Sequence, residues 1–371
     1  MKFNRYALSD LATIKYGKNQ KKVLSENGNI PIYGTGGLMG YATTALYDKP
    51  SVLIGRKGTI GKVKYVEHPF WTVDTLFYTI VNTDIVLPKY LYYVMSLIDL
   101  NNYNEGTTIP SLRTETLNRL EFDIPSLVEQ ETILYCLNPI DEKIALNNAI
   151  NNNLLEQVLT LYRNKFVDTA NNERAICCAD EYFDISIGKT PPRKEPQWFS
   201  TNPQDVTWVS ISDMGTCGLY ISSSSEQLTK QAVERHNVKV VPDNTVLLSF
   251  KLTIGRIAIT NGEMTTNEAI AHFKTDKKEI NEYLYCYLKC FNYQTMGSTS
   301  SIATAVNSKI IKGMPFVVPT NDELEEFHGF AAPMFAKIKA NQIETDNLTA
   351  LRDTLLPKLM SGELDVSNIE I

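Results

Sequence analysis

The chain has 371 residues and a mass of 41.8 kDa, with 43% hydrophobic and 21% charged residues and a formal net charge of −6. That length provides for two or three domains, each able to bury a core, and ordinary glycine (19) and proline (16) content excludes collagen-like and broadly disordered readings. Read whole, a pI near 5.4 argues against a generic nucleic-acid coat or a polybasic membrane binder.

The first residues, MKFNRYALSDLATIKYG, contain no apolar signal core, so no secretory signal is expected. No stretch approaches the roughly 18 uninterrupted apolar residues of a membrane span. The six cysteines (Cys136, Cys177, Cys178, Cys217, Cys286, Cys290) and four histidines follow no metal-binding spacing. Reduced thiols in a cytoplasm are the expectation, with no metal site.

In chain order, residues 1–125 mix β-branched runs such as SVLIG (51–55) with turn signals and an aromatic helical stretch, PKYLYYVM (88–95). Residues 126–168 lose nearly all glycine and take helical periodicity. Ile133, Leu137, Ile140 and Ile144 step by 4, 3 and 4, and Ile150, Leu154, Val158 and Leu161 continue the stripe. Residues 171–320 return to the mixed texture (VTWVSI, NTVLLSF, MPFVVP). From 320 to 360 the helical pattern recurs through Phe327, Ala331, Met334 and Ile338, then Leu348, Leu351 and Leu355. Stripes of this kind belong to helices packed along their length. Pro139 and Pro333 predict a break and restart in each, with Asn138 as a cap and Asp141 at the positive end of the new helix. About 28 residues follow each proline, a rod of roughly 40 Å.

The alternation is a repeat. VLIGRKGTIGKV (52–63) aligns with VLLSFKLTIGRI (246–257) at an offset of 194. After a one-residue slip, Thr72 and Asp74 match Thr265 and Asn267, and PKYLYYVM matches NEYLYCYL (281–288). The offset returns to 194 for LNRLEFDIP (117–125) against IKGMPFVVP (311–319), and Pro139 matches Pro333. Charge then resolves by region. Residues 1–125 carry +3 and 171–320 carry 0, whereas 126–170 carry −3 and 321–371 carry −6. The acidic excess lies in the helices.

GRKGTIGK (55–62) fails as a phosphate loop, because five residues separate Gly55 from Gly61 and Val63 stands where a hydroxyl should bind Mg²⁺. YGTGGLMGY (33–41) is not a dinucleotide fingerprint. No methyltransferase tetrapeptide, helicase box, HExxH or GxSxG is present. What recurs is a basic, hydroxyl-bearing turn: Arg56, Lys57, Thr59 and Lys62 in the first copy, Lys251, Thr253 and Arg256 in the second. Glycine permits a tight turn, lysine and arginine supply phosphate contacts, and threonine serves backbone or base edges. A solvated hairpin with ordinary charges explains the same residues. Two polar tracts also recur, with Thr107 and Thr108 before Arg113 and with Ser301 and Thr304 before Lys309. A flexible surface loop accounts for those equally well.

In their order, these segments resemble the specificity subunits of type I restriction–modification systems. The resemblance spans the chain and is carried by IGKTPPRKEPQWF (187–199) leading into VTWVSISDM, by the paired VLIGRKGTIGKV and VLLSFKLTIGRI, by the polar loops running into EFDIP and FVVP, and by LRDTLLPKLMSGEL (351–364). The first copy departs by showing YGKNQKK and IPIYGTGG where the second has its TPP and WV segments.

The resemblance implies an α+β fold of two tandem, pseudo-symmetric α/β target-recognition domains separated by long helices that pair as an antiparallel coiled coil. The expected boundaries are 1–125 and 171–320 for the recognition domains, and 126–170 and 321–371 for the helical spacers. It implies that each domain reads half of a bipartite, asymmetric site on double-stranded DNA, with the helices as a ruler. Successive major grooves lie about 34 Å apart, within reach of such a rod. Arg56, Lys57, Thr59, Lys62, Thr107, Thr108, Arg113, Lys189, Arg193, Lys251, Thr253, Arg256, Ser301, Thr304 and Lys309 are the expected DNA contacts. The partners implied are two methyltransferase subunits using S-adenosylmethionine, and ATP-driven restriction subunits. The chain itself would hold no cofactor, catalyse nothing and meet no membrane. A scaffold relative that no longer reads DNA is the second reading, and a nucleotide-dependent enzyme the third.

Overall fold

The computed structural model describes residues 1–168, 174–296, 306–367 and 369. They form two compact units, Met1–Ile144 with Asn347–Ile371, and Ala145–Asp346.

In the first unit β1 (Asn4–Ala7), α1 (Leu8–Leu11), β2 (Ala12–Tyr16), β3 (Ile30–Gly34), β4 (Gly37–Ala42), β5 (Ser51–Gly55), β6 (Val63–Val66), β7 (Trp71–Thr72) and β8 (Leu76–Val81) precede α2 (Pro88–Ser96), α3 (Thr114–Asn118), β9 (Glu121–Ile124) and α4 (Leu127–Tyr162). The main sheet runs β2-β8-β5-β6, a second runs β4-β3-β7, and β1 pairs with β9. All five residues of β5 are buried, which is why that run is apolar without alternation. Val52 and Ile54 join Phe77, Tyr90, Leu91 and the α4 residues Ile133 and Leu137 in one core.

The second unit repeats the plan with β10 (Ile176–Cys178), α5 (Ala179–Tyr182), β11 (Asp184–Ile187), β12 (Phe199–Ser200), β13 (Val206–Val209), α6 (Ile211–Thr216), β14 (Tyr220–Ile221), β15 (Glu226–Leu228) and α7 (Lys230–Arg235). There follow β16 (Val246–Ser249), β17 (Ile257–Thr260), β18 (Thr265–Thr266), β19 (Ile270–Lys274), α8 (Asn281–Cys290), α9 (Ser308–Lys312), β20 (Pro315–Val317) and α10 (Asn321–Ser361). Its sheets run β11-β19-β16-β17-β14 and β12-β15-β13-β18, with β10 paired to β20. The β4 hairpin belongs to the first unit. The second has α6, α7 and three short strands in its place.

Pairing registers correct the alignment read from sequence. Tyr33 pairs with Thr72 where Val209 pairs with Thr266, and the Val73 and Asn267 amides each donate 3.0 Å bonds to those same strands. Thr72 therefore matches Thr266 at the full offset of 194, with no slip before this strand. The lost residue lies later, between β8 and α2, since β8 and β19 begin at 76 and 270 but α2 and α8 at 88 and 281.

The prolines do not break their helices. α4 and α10 run continuously through Pro139 and Pro333. Both rings face solvent. Ile133 and Leu137, and Ala331 and Phe335, stay buried on the opposite face and hold the helix through each proline. Asn138 caps nothing. The helix starts are instead reciprocal capping boxes, Ser126 with Glu129 and Thr320 with Glu323, each closed by side-chain bonds of 2.9–3.3 Å.

The helices pair antiparallel. In the second unit Asn147 reaches Glu344 at 2.9 Å, while Asn151 accepts from Asn341 at 2.8 Å. In the first unit Arg352 meets Asp141 at 3.3 Å. The seam is less uniformly apolar than its periodicity predicts. Asn147 and Asn341 are buried within it, and Leu351 is 47% exposed while Leu356 and Leu359 take the buried places.

Candidate nucleic-acid interface

The turn between β5 and β6 is built against the polar tract that follows α2. Lys57 bridges Ser111, the Gly58 amide donates to Pro110 O at 2.9 Å, and the Leu112 amide donates to Arg56 O at 2.9 Å. Gly55 cannot be replaced here, because a Cβ would lie 2.1 Å from the Thr59 carbonyl oxygen. Gly106 is equally constrained, at 1.9 Å from Ile109 O. Lys57, Thr59, Thr107 and Thr108 are exposed on this double turn. Arg56 is half-buried, donating to Asp74 O at 2.8 Å beneath its own cation–π contact with Tyr16. Arg113, at the N-cap of α3, is tied to Glu105 at 3.1 Å. Lys62 is exposed at the end of the turn, just before β6.

The corresponding turn of the second unit has Ser249 at the Gly55 position. Its hydroxyl donates to Thr253 O at 2.6 Å, the counterpart of the carbonyl that leaves no room for a Cβ at Gly55. Lys251 and Thr253 are exposed. Arg193 stacks on Phe199 and Trp208 with centroid distances of 4.1 and 4.7 Å, and grips Glu226 through two bonds of 2.9 Å. Lys251 and Arg193 also act electrostatically on Glu268. Burial opposes ionisation of that carboxyl, but the Thr190 hydroxyl, its own backbone amide and the two cations hold it below the usual carboxylate range.

Arg256 stands apart from this group. Its guanidinium donates to Ile211 O at 2.5 Å and lies over Gly215, on the wall of a cleft of about 730 Å³ lined also by Asn151, Ser223 and Lys289. Lys309 is exposed on α9, next to Met296 and Met314. It sits two residues into its helix, whereas Asn307 occupies the N-cap position that Arg113 holds in the first unit. Ser301 and Thr304 lie outside the described residues.

The repeat also identifies Lys18, which sequence reasoning missed. The Lys18 amide donates to Thr72 O at 2.8 Å and the Lys189 amide to Thr266 O at 2.9 Å. Each lysine carbonyl accepts an indole N–H, from Trp71 at 2.8 Å and from Trp208 at 3.2 Å. The tryptophans come from different strands but serve the same atom. Gly17 and Gly188 precede these lysines, and a Cβ would lie 2.0 Å from Val73 O on the first and 2.0 Å from the Thr266 hydroxyl on the second. The legible signal was the shared Gly-Lys dipeptide at 17–18 and 188–189. Lys18, Lys21 and Lys22 are exposed and make no ion pair among the described residues. Nearby, the β3–β4 hairpin turns at Thr35-Gly36 and exposes Leu38 and Met39.

Among the described residues no group of three or more His, Cys, Asp or Glu side chains is placed to hold a metal. No described helix is long and apolar enough to cross a membrane.

The type I restriction modification DNA specificity domain matches this chain twice, over residues 2–156 and 176–342. The MjaIX specificity subunit of Methanocaldococcus jannaschii is 26% identical, over 87% of this chain and 80% of its own length. The HindI specificity subunit of Haemophilus influenzae is 22% identical, over 82% and 84%. In fold, the chain is similar to the crystal structure of the type I restriction–modification S subunit from M. genitalium, with a TM-score of 0.57 at 17% identity over 97% and 96% of the two chains. The matched domain occurs once per repeat and covers most of the sequence, so the chain belongs to the family of type I restriction–modification DNA specificity subunits.

Proposed function

We propose that the chain reads a bipartite, asymmetric site on double-stranded DNA, one half-site per repeat, and catalyses no reaction itself. Residues 1–125 and 171–320 are the readers, and 126–170 and 321–371 are the helices that set the gap between half-sites. The observation that supports this reading is a turn platform built twice with cations at equivalent places, Lys57 and Lys251, and Lys18 and Lys189. Threonines stand beside three of those cations, Thr59, Thr253 and Thr190, the combination that serves phosphates and base edges together. Exposed helix surface remains for partner chains, and the family points to two methyltransferase subunits and to restriction subunits. The chain would act in the cytoplasm, with no cofactor of its own and no membrane partner.

Lys57→Ala and Lys251→Ala are each expected to weaken binding to the cognate duplex at every sequence and to reduce the salt slope by about one unit. Titrations at several salt concentrations check this, and an unchanged slope in both variants removes these lysines from the interface. Removing one helical turn from each long helix should alter the spacer while leaving both half-sites intact. Methylation mapping reads this directly, and an unaltered spacer counts against the ruler.

A further inference from the structure

The turn after β16 holds a leucine in a conformation that leucine avoids. Leu252 has φ +61° and a side chain that is 99% exposed. The Thr253 amide donates to Lys251 O at 2.7 Å, which closes a three-residue turn around Leu252, and with positive φ this is the rarer, strained form. Its counterpart 194 residues earlier is Gly58, at φ +84°, a region glycine enters without penalty. Glycine at 252 would make the same turn without strain and without an apolar side chain in water. The position therefore carries two costs that folding does not require.

The tip is also held firmly. Ser249 closes its base through Thr253 O at 2.6 Å, and the Gly255 amide donates to Ser249 O at 3.0 Å. Leu252 stands between exposed Lys251 and Thr253, on the turn proposed to meet DNA. A protein-docking surface would present a cluster of apolar side chains, whereas here Leu252 projects beside a lysine with Ile254, 36% exposed, on the same turn.

We propose that Leu252 is a base-selecting residue of the second repeat, packing against a thymine 5-methyl group in the major groove while Lys251 meets the phosphate. Apolar contact with that methyl is one of the ways a major groove is read. The inference rests on the DNA reading above and names the side chain that selects at one position of one half-site.

The test uses the full chain and a duplex that the wild-type protein selects from a randomised library. Deoxyuridine then replaces each thymidine in turn, which removes a single methyl. Wild type should lose about fourfold in affinity at one thymidine of the second half-site. Leu252→Gly should melt roughly 2–4 °C higher, bind the unmodified duplex about tenfold more weakly, and lose its sensitivity at that thymidine alone. Leu252→Ala keeps the strained backbone, so it should repeat the binding loss without the rise in melting temperature. If both variants keep wild-type affinity and the wild-type deoxyuridine profile, the role of Leu252 is overturned and the DNA reading survives. A wild-type chain that selects no sequence overturns both. If DNA binding is unchanged but co-purification of methyltransferase subunits from the host is lost, Leu252 belongs to a protein interface and the proposal fails.

Discussion

Acidification from pH 6.5 toward 3 should cost the second unit about 4–5 kcal/mol of stability through one histidine. His272 is fully buried in β19. The Ser186 hydroxyl lies 3.0 Å from Nδ1 and the Thr266 hydroxyl 2.7 Å from Nε2. Thr266 donates its own proton to Asn267 O, so Nε2 carries the hydrogen and Nδ1 accepts from Ser186. Burial, with a smaller push from Lys274, lowers the imidazole from 6.5 to about 3. Between those values the unfolded chain binds a proton that the folded unit refuses. The contribution is complete above pH 6.5 and is lost as pH falls toward 3, with a slope approaching 1.4 kcal/mol per pH unit.

Chemical denaturation across pH 4–7 checks this result against His272→Gln, which keeps a donor and an acceptor but does not titrate. The variant should start less stable and show a shallower slope, and parallel curves would refute the assignment. The first unit has Tyr78 at the matching strand position and leaves the Thr72 hydroxyl buried without a partner. The same sheet therefore tolerates acid differently in its two copies. Thr266, whose hydroxyl meets His272 Nε2, also receives the Lys189 amide on its carbonyl.

Arg174→Ala should cost about 3–5 kcal/mol, the penalty for leaving a buried ionic group without its partner. Only 7% of the Arg174 side chain is exposed. It donates to Glu323 at 2.8 and 3.1 Å, to Lys165 O at 3.1 Å and to Phe166 O at 3.3 Å, with its guanidinium over the Phe166 ring. Arg174 holds Glu323 below the usual carboxylate range, and Glu323 in turn closes the capping box of α10. The substitution thus takes the cation from the carboxylate that closes the α10 cap and frees two carbonyls of the π-helical turn Arg163–Val167 that follows α4. Arg174→Lys should recover part of the loss, because an ammonium can meet Glu323 but cannot also span both carbonyls. Thermal unfolding of the three proteins settles the order. If the alanine variant melts with wild type, the ionic network contributes nothing.

Much of this architecture was legible in the sequence, because a repeat reports the same physics twice. Apolar runs at 52–54 and 246–248 gave the central strands, and the helical stripes gave the paired helices. The errors came from rules that tertiary packing outweighs. Pro139 and Pro333 read as breaks, but each helix buries its opposite face and keeps its proline in water. The Ser126/Glu129 and Thr320/Glu323 boxes were present as S-x-x-E and T-x-x-E and mark the true helix starts. Among the site residues, the basic turns were visible as Lys57 and Lys251. Lys18 was not, because the Gly-Lys dipeptide it shares with Lys189 falls at an offset of 171 and not 194, and the equivalence shows in the backbone bonds to Thr72 and Thr266. Arg256 looked like a phosphate contact by type, yet its guanidinium is engaged with Ile211 O.

In each repeat only a few residues separate the last strand from the capped helix: Pro125 and Ser126 after β9, and residues 318–320 after β20. Loop length is ordinarily a cheap variable, since doubling a flexible loop costs only about 0.6 kcal/mol of closure entropy. These joints have no such reserve, because the strand pairing fixes one side and the capping box the other. An inserted residue would have to break a ladder bond or a cap. Length variation must then be absorbed elsewhere, and the two copies already differ between β2 and β5 and between β11 and β16. Descendants of this chain can enlarge those two segments while the strand-to-helix joints stay the same.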